Sequence, residues 1–404
     1  FQFPIEAKTT KNLLLDNKNF RSLMSGVFFF NCSDWIERLC ISWLILKTTN
    51  SILATVISFA ITSIVQSLCS PFTAGAADKF GRNKIIILVG ITRFFVLCFF
   101  ALLVFQNKNF LILAYTASAI SGINRSFLVP ALQGSVINSV KENQKIRSML
   151  IYSMIMRFTG VIGSLLGGAL SIIIGVEQSI LLSGFLGLIG SLSILLNSSN
   201  LVEIKNKGSY IKNIKDGLIL VFGNFNTRIL LVFAGVVEIF GFSFFSLLSS
   251  ISKFILNSEI GIFSILQTSM AFGGFLGILF LFKWKNLDKA HSLATVLVMI
   301  FGISIILVSL SSNIISVIIF IVAIGAAAAC FDAIQWIYLQ KNIPAEFRST
   351  AVSAWFITIG FGWIGNLIIG FLSDKYGLNI TIFSTGIILL FSGVIFHIIY
   401  RRFK

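Results

Sequence analysis

The chain has 404 residues, of which 56% are hydrophobic and only 11% charged, yet its formal net charge is +16. A soluble globular protein is about 45–50% apolar and roughly 25% charged, so the composition excludes that class, and 42 phenylalanines exclude a disordered chain. It also excludes a nucleic-acid binder, because no soluble stretch is long enough to carry a basic domain. What remains is a polytopic helical membrane protein.

A spanning helix needs about 20 mostly apolar residues. In chain order, this criterion predicts spans near 22–46, 51–73, 85–105, 110–137, 149–174, 179–197, 228–252, 260–282, 291–311, 314–338, 350–372 and 380–400. Connections are short except between the sixth and seventh spans. The expected organisation is a tail (1–21), a six-helix half (22–197), a linker with an amphipathic helix (198–227), a second half (228–400) and a short tail (401–404).

Lys and Arg set orientation in membrane proteins by accumulating in cytoplasmic loops. Lys79, Arg82 and Lys84 follow span two; Lys141, Lys145 and Arg147 follow span four; Lys205, Lys207, Lys212 and Lys215 lie in the linker; and Arg401, Arg402 and Lys404 end the chain. The other side carries only Lys47, Lys108, Lys253 and Lys375. Both termini are therefore expected in the cytoplasm and the protein in the cell membrane. The net charge is largely a topology signal.

The five cysteines lie in apolar runs without a CxxC pair, and His291 and His397 are isolated, so neither a disulfide nor a metal site is expected. No Walker loop, nucleophile elbow or HExxH occurs, so no cofactor and no enzymatic chemistry are expected.

Shifting the chain by 202 residues lays Gly160, Gly163, Gly168, Leu170, Ser171 and Gly175 on Gly362, Gly365, Gly370, Leu372, Ser373 and Gly377. This internal repeat pairs span five with span eleven. Two parallel six-helix halves point to a secondary transporter with its substrate site between them.

After span two the chain reads Ala74-Gly75-Ala76-Ala77-Asp78-Lys79-Phe80-Gly81-Arg82-Asn83-Lys84. This resembles the inner-loop signature of the major facilitator superfamily, Gly-x-Leu-Ala-Asp-Arg-x-Gly-Arg-Arg/Lys. Asp78, Lys79, Gly81 and Arg82 match its core, whereas Ala74 and Asn83 depart from it. The resemblance implies the major facilitator fold, all-α with twelve transmembrane helices in two pseudo-symmetric halves, and a gate at Asp78 and Arg82. The loop Lys283–Lys289 in the second half lacks the Asp-x-x-Gly core.

Within the superfamily, Asp34-Trp35-Ile36-Glu37-Arg38, Phe127 to Gln133, Gly241-Phe242-Ser243 and Gln340 to Arg348 look similar to bacterial exporters of the macrolide and enterobactin efflux type. Exporters coupled to protons usually carry Gly-Pro-x-x-Gly-Gly in span five; here Gly163, Gly167 and Gly168 are kept but Ser164 replaces the proline. Gly163 with Gly167, and Gly273 with Gly277, have the small-xxx-small spacing that lets helices approach closely.

A charge at mid-bilayer costs at least ~2.5–3.5 kcal/mol, so each needs a partner or a wet cavity. The intramembrane acids are Asp34, Glu37, Glu238 and Asp332; the bases are Arg38, Arg93, Arg125 and Arg157. Asp34 and Arg38 are i,i+4 neighbours. Asp34, Glu37 and Glu238 are the expected proton or cation sites, Arg125 their counter-charge, and Arg38 and Asp332 further candidates. Each has a structural ion-pair alternative. Arg93 and Arg157 are expected to snorkel. The expected function is export of a small hydrophobic or amphipathic compound by a monomer, with protons and membrane lipids as its other partners. An importer of the same fold and a lipid-translocating or receptor-like member are the rivals.

Overall fold

The computed structural model describes residues 17–105, 110–141, 144–195, 223, 225–283, 290–342, 358 and 360–402. Among them the chain is all-helical. The N-terminal half supplies α1 (Lys18–Thr49), α2 (Ile52–Phe80), α3 (Arg82–Phe105), α4 (Phe110–Asn138), α5 (Lys145–Ile173) and α6 (Val176–Leu195). The C-terminal half supplies a composite α7, then α8 (Ile260–Lys283), α9 (Ala290–Leu310), α10 (Ile314–Asn342), α11 (Gly362–Tyr376) and α12 (Leu378–Arg402). Nine candidate spans among the described residues are long and apolar enough to cross a membrane. Phe72, Phe95, Ile173, Leu310 and Ile380 are more than half exposed on helix surfaces, as lipid contact requires.

Several helices run beyond the expected spans. The most consequential is α2, which continues to Phe80, so Asp78 lies in its last turn rather than in a loop. Gly81 breaks the helix with φ +88°, a conformation that favours glycine, and Arg82 begins α3. The linker 198–222 and its expected amphipathic helix lie outside the described residues, as do the loop 284–289 and residues 343–357.

Span seven is not a uniform α-helix. The α-helical Phe225–Phe240 is followed at Gly241 by a 3₁₀ turn (Phe242–Leu247), a short α segment (Leu248–Ser250) and a π turn (Ile251–Ile255). A side chain at Gly241 would meet the Val237 carbonyl at 2.6 Å and the Phe301 ring at 2.9 Å. Phe242 and Phe245 pack on that same ring. Such departures from α geometry mark places where a helix bends.

The contacts divide the chain into two compact units, residues 1–41 with 68–207, and residues 42–67 with 208–404. In the first unit α3 packs on α6 and α4, and α5 lies on α1. Gly160 and Gly163 of α5 sit against Trp35 and the Cys32 backbone, and Gly167 sits against Ile36. Asn31 donates to the Met156 carbonyl at 2.6 Å, and Ser33 donates to the Ser183 carbonyl at 2.6 Å. These bonds tie α1 to α5 and α6, each worth about 0.6 kcal/mol in a membrane setting.

In the second unit α9 packs on α12 and α8 on α10. The α8–α10 contact is backbone on backbone. A Cβ at Gly277 would lie 2.9 Å from Ala326 Cα, and Gly273 abuts Val322 in the same way. Gly362 and Gly365 of α11 pack against Glu238 and Ile239 of α7. This repeats, on the same 202-residue diagonal, the seating of Gly160 and Gly163 on α1.

Candidate functional site

An ionic cluster occupies the middle of α1, α3 and α4. Along α1, Asp34, Glu37 and Arg38 fall on one side because residues three and four apart share a helix face. Arg93 reaches this face from α3, and Arg125 and Ser121, one turn apart, reach it from α4.

The cluster has a dry end and a wet end. At the dry end Glu37 and Arg93 are almost completely buried, at 3% and 2% exposure. Their Oε2 and Nη2 are 2.5 Å apart, and Ser121 donates its hydroxyl to Glu37 Oε1. At the wet end the Asp34 carboxylate lies 3.2 Å from Arg38 Nε, 3.6 Å from Arg93 Nη2 and 3.7 Å from Arg125 Nη2. There the side chains of Arg38 and Arg125 keep 32% and 25% of their exposure, and that of Asp34 keeps 14%. Two carboxylates thus share three guanidiniums, so the pairing that α1 alone provides is only part of the neutralisation.

Arg93 corrects the sequence reading. It does not snorkel; it is the innermost cation of the cluster and the direct ion-pair partner of Glu37. Sequence reasoning also missed Ser121. The available signal was its position four residues before Arg125, which puts both on the same face of α4. Arg157 is half-buried on α5. Beside the cluster, Thr92 donates to the Asn124 side chain at 3.0 Å and links α3 to α4.

The second unit holds a different arrangement. Glu238 stands one turn before the break in α7, against Gly362 of α11, where an added Cβ would lie 2.9 Å from its Oε1. Asp332 of α10, a second acid in this unit, lies within its electrostatic reach. In the first unit each carboxylate is ion-paired with a guanidinium.

At the motif near residue 78, Arg82 extends across α4, with its guanidinium over Gly134. A Cβ there would come within 2.7 Å of Arg82 Cζ, so glycine is what admits the arginine. The side chains of Asp78 and Lys79 lie outside the described residues.

The Major Facilitator Superfamily sequence profile matches residues 23–365. No curated protein sequence matches the chain. Among solved structures, a peptide transporter of the POT family in complex with sulfate superposes with a TM-score of 0.78 at 13% identity, covering 96% of this chain and 95% of that one. A bacterial homolog of the human lysosomal transporter Spinster gives 0.72 at 14%, covering 96% and 98%. The nucleoside transporter NupG gives 0.73 at 12%, covering 96% and 99%. At these identities the likeness establishes the fold. With the profile match spanning most of its length, the chain belongs to the major facilitator superfamily, as a multi-pass membrane protein built for secondary transport.

Proposed function

We propose that the protein exports a small hydrophobic or amphipathic compound across the cell membrane by alternating access, in exchange for protons. Both termini are assigned to the cytoplasm by the distribution of Lys and Arg. The observation that carries the coupling is the position of Glu238, one turn before the break in α7 and against Gly362 of α11. Asp34 and Glu37 are braced by Arg38, Arg93 and Arg125, which makes them organisers of α1, α3 and α4. Glu238, seated against Gly362 beside the irregular part of α7 and within the electrostatic reach of Asp332, is assigned as the carrier of the proton. Asp34, at the wet end, is the carboxylate within reach of a bound compound or of water. Asp78 and Arg82 are assigned to the gate at the end of α2.

Production of the protein in a host stripped of its own pumps is expected to lower cellular accumulation of at least one member of a panel of lipophilic compounds. Collapse of the proton gradient should restore that accumulation. Accumulation that rises on production, or that ignores the gradient, contradicts export by antiport.

A second reading, import or uniport, is favoured by one feature. Ser164 lies within an unbroken α5 (Lys145–Ile173), where the proline of proton-linked exporters would impose a kink. The transporters of peptides and nucleosides that share the fold make this reading concrete. The same panel separates the two by the sign of the accumulation change.

A further inference from the structure

The turn between α1 and α2 is held by two charged side chains from the far half of the sequence. Asp374, in the last turn of α11, accepts three hydrogen bonds from the start of α2. They come from the Ser51 hydroxyl at 2.8 Å, the Ile52 amide at 3.0 Å and the Leu53 amide at 3.2 Å. Ser51 Oγ in turn accepts the Ala54 amide at 3.1 Å. The first free N–H groups of α2 are thus satisfied, and an anion sits where the helix dipole favours one.

The end of α1 receives the opposite treatment. Lys253, in the π turn of α7, donates to the Leu46 carbonyl at 3.0 Å and to Asn50 Oδ1 at 2.5 Å. A cation at the last carbonyls of a helix complements the dipole there. Asn50 makes the reversal with φ +53°. Next to this clamp α2 lies directly on α11. Val56, fully buried, fills the space a side chain at Gly370 would need, and Leu53 Cα would be 3.2 Å from that Cβ.

Two further observations give the clamp a role. First, residues 42–67 belong with 208–404 in the compact division of the chain, which cuts through α1 and α2 instead of falling at the linker. Second, Asp374-Lys375-Tyr376-Gly377 repeats the Asp-Lys-aromatic-Gly order of Asp78-Lys79-Phe80-Gly81. Gly377 (φ +94°) and Gly81 (φ +88°) both end a helix and begin the next. The Asp78 turn lies at the C-terminal end of α2 and Asp374 at its N-terminal end. The 29 residues of α2 span roughly 43 Å, so the two turns lie at opposite membrane surfaces.

We propose that Asp374 and Lys253 form a latch on the α1–α2 turn, at the membrane surface opposite the Asp78 motif, and that its release opens the protein on that side during transport. Both are positioning residues that act through helix ends. The latch depends on alternating access alone and is independent of the direction of transport and of proton coupling.

The test is the reactivity of a thiol at Val56→Cys toward a membrane-impermeant maleimide, in a chain whose five native cysteines are alanine. With Asp374 present, labelling should be slow. Asp374→Ala should accelerate it about fivefold, the population shift that corresponds to loss of a helix cap. Asp374→Asn, which keeps an acceptor, should fall between them. Unchanged labelling in Asp374→Ala that elutes as folded protein overturns the latch. Should that variant fail to fold, Lys253→Met removes the clamp on α1 alone and makes the same prediction in the same assay. Labelling that stays slow in Lys253→Met then overturns the latch. Loss of proton coupling with intact latch behaviour would count against the proposed function alone.

Discussion

Replacing Arg93 with alanine is expected to cost about 3–5 kcal/mol of stability, because it leaves Glu37 as an uncompensated buried charge. Arg93 and Glu37 are almost fully buried and 2.5 Å apart, so neither can recover its lost solvation by turning to water. The loss should appear as a lower unfolding temperature of the detergent-solubilised protein, or as absence of folded protein. Adding Glu37→Gln to Arg93→Ala should return a substantial part of it, since the second change removes the stranded charge. The same arginine change at Arg125 should cost far less, because its side chain keeps 25% exposure and its contact with Asp34 is one of three. Equal losses at Arg93 and Arg125 would contradict the division into a dry and a wet end.

The second large effect is expected at Glu238. Glu238→Gln keeps the size of the side chain and its seat against Gly362, but removes the carboxyl that the proposed antiport assigns to the proton. Substrate-driven proton movement should fall to that of vesicles without protein, while exchange of compound down its own gradient continues. A variant that still moves protons with substrate would shift the role to Asp34 or Glu37. Asp34→Asn, by contrast, weakens three ion pairs at once and should impair transport and stability together.

Much of the fold was legible because a membrane span leaves a long apolar run, and twelve such runs can be read directly. Helix ends were less so. The run of α2 continues through Asp78 because polar residues extend a helix past the bilayer without interrupting its backbone bonds. The irregular end of α7 was not legible, as Gly241 is one of two glycines in an otherwise ordinary apolar stretch and what sets it apart is the Phe301 ring of α9 packed against it. The repeat carried further than its six matching residues suggested. Gly160 and Gly362, brought onto one diagonal by the shift, each pack beside the charged stretch of the first helix in their half.

For the candidate site, α1 could be read alone, because Asp34, Glu37 and Arg38 lie within five residues. The identity of the partner could not. Arg93 lies at a depth that suggests snorkelling, but its side chain runs past Gly187 of α6 to Glu37 of α1, a path set by packing between helices distant in sequence. Asp374 was invisible for a similar reason: its three donors lie more than 320 residues away in sequence, although the glycine that follows it belongs to the repeat.

The most direct test of the central claim is proton movement in proteoliposomes that contain only this protein and an internal pH indicator. A gradient of a compound identified by the accumulation panel is imposed with no initial pH difference. Antiport predicts that protons move opposite to the compound, and that Glu238→Gln abolishes this movement. Flux of the compound with no change in internal pH would contradict it.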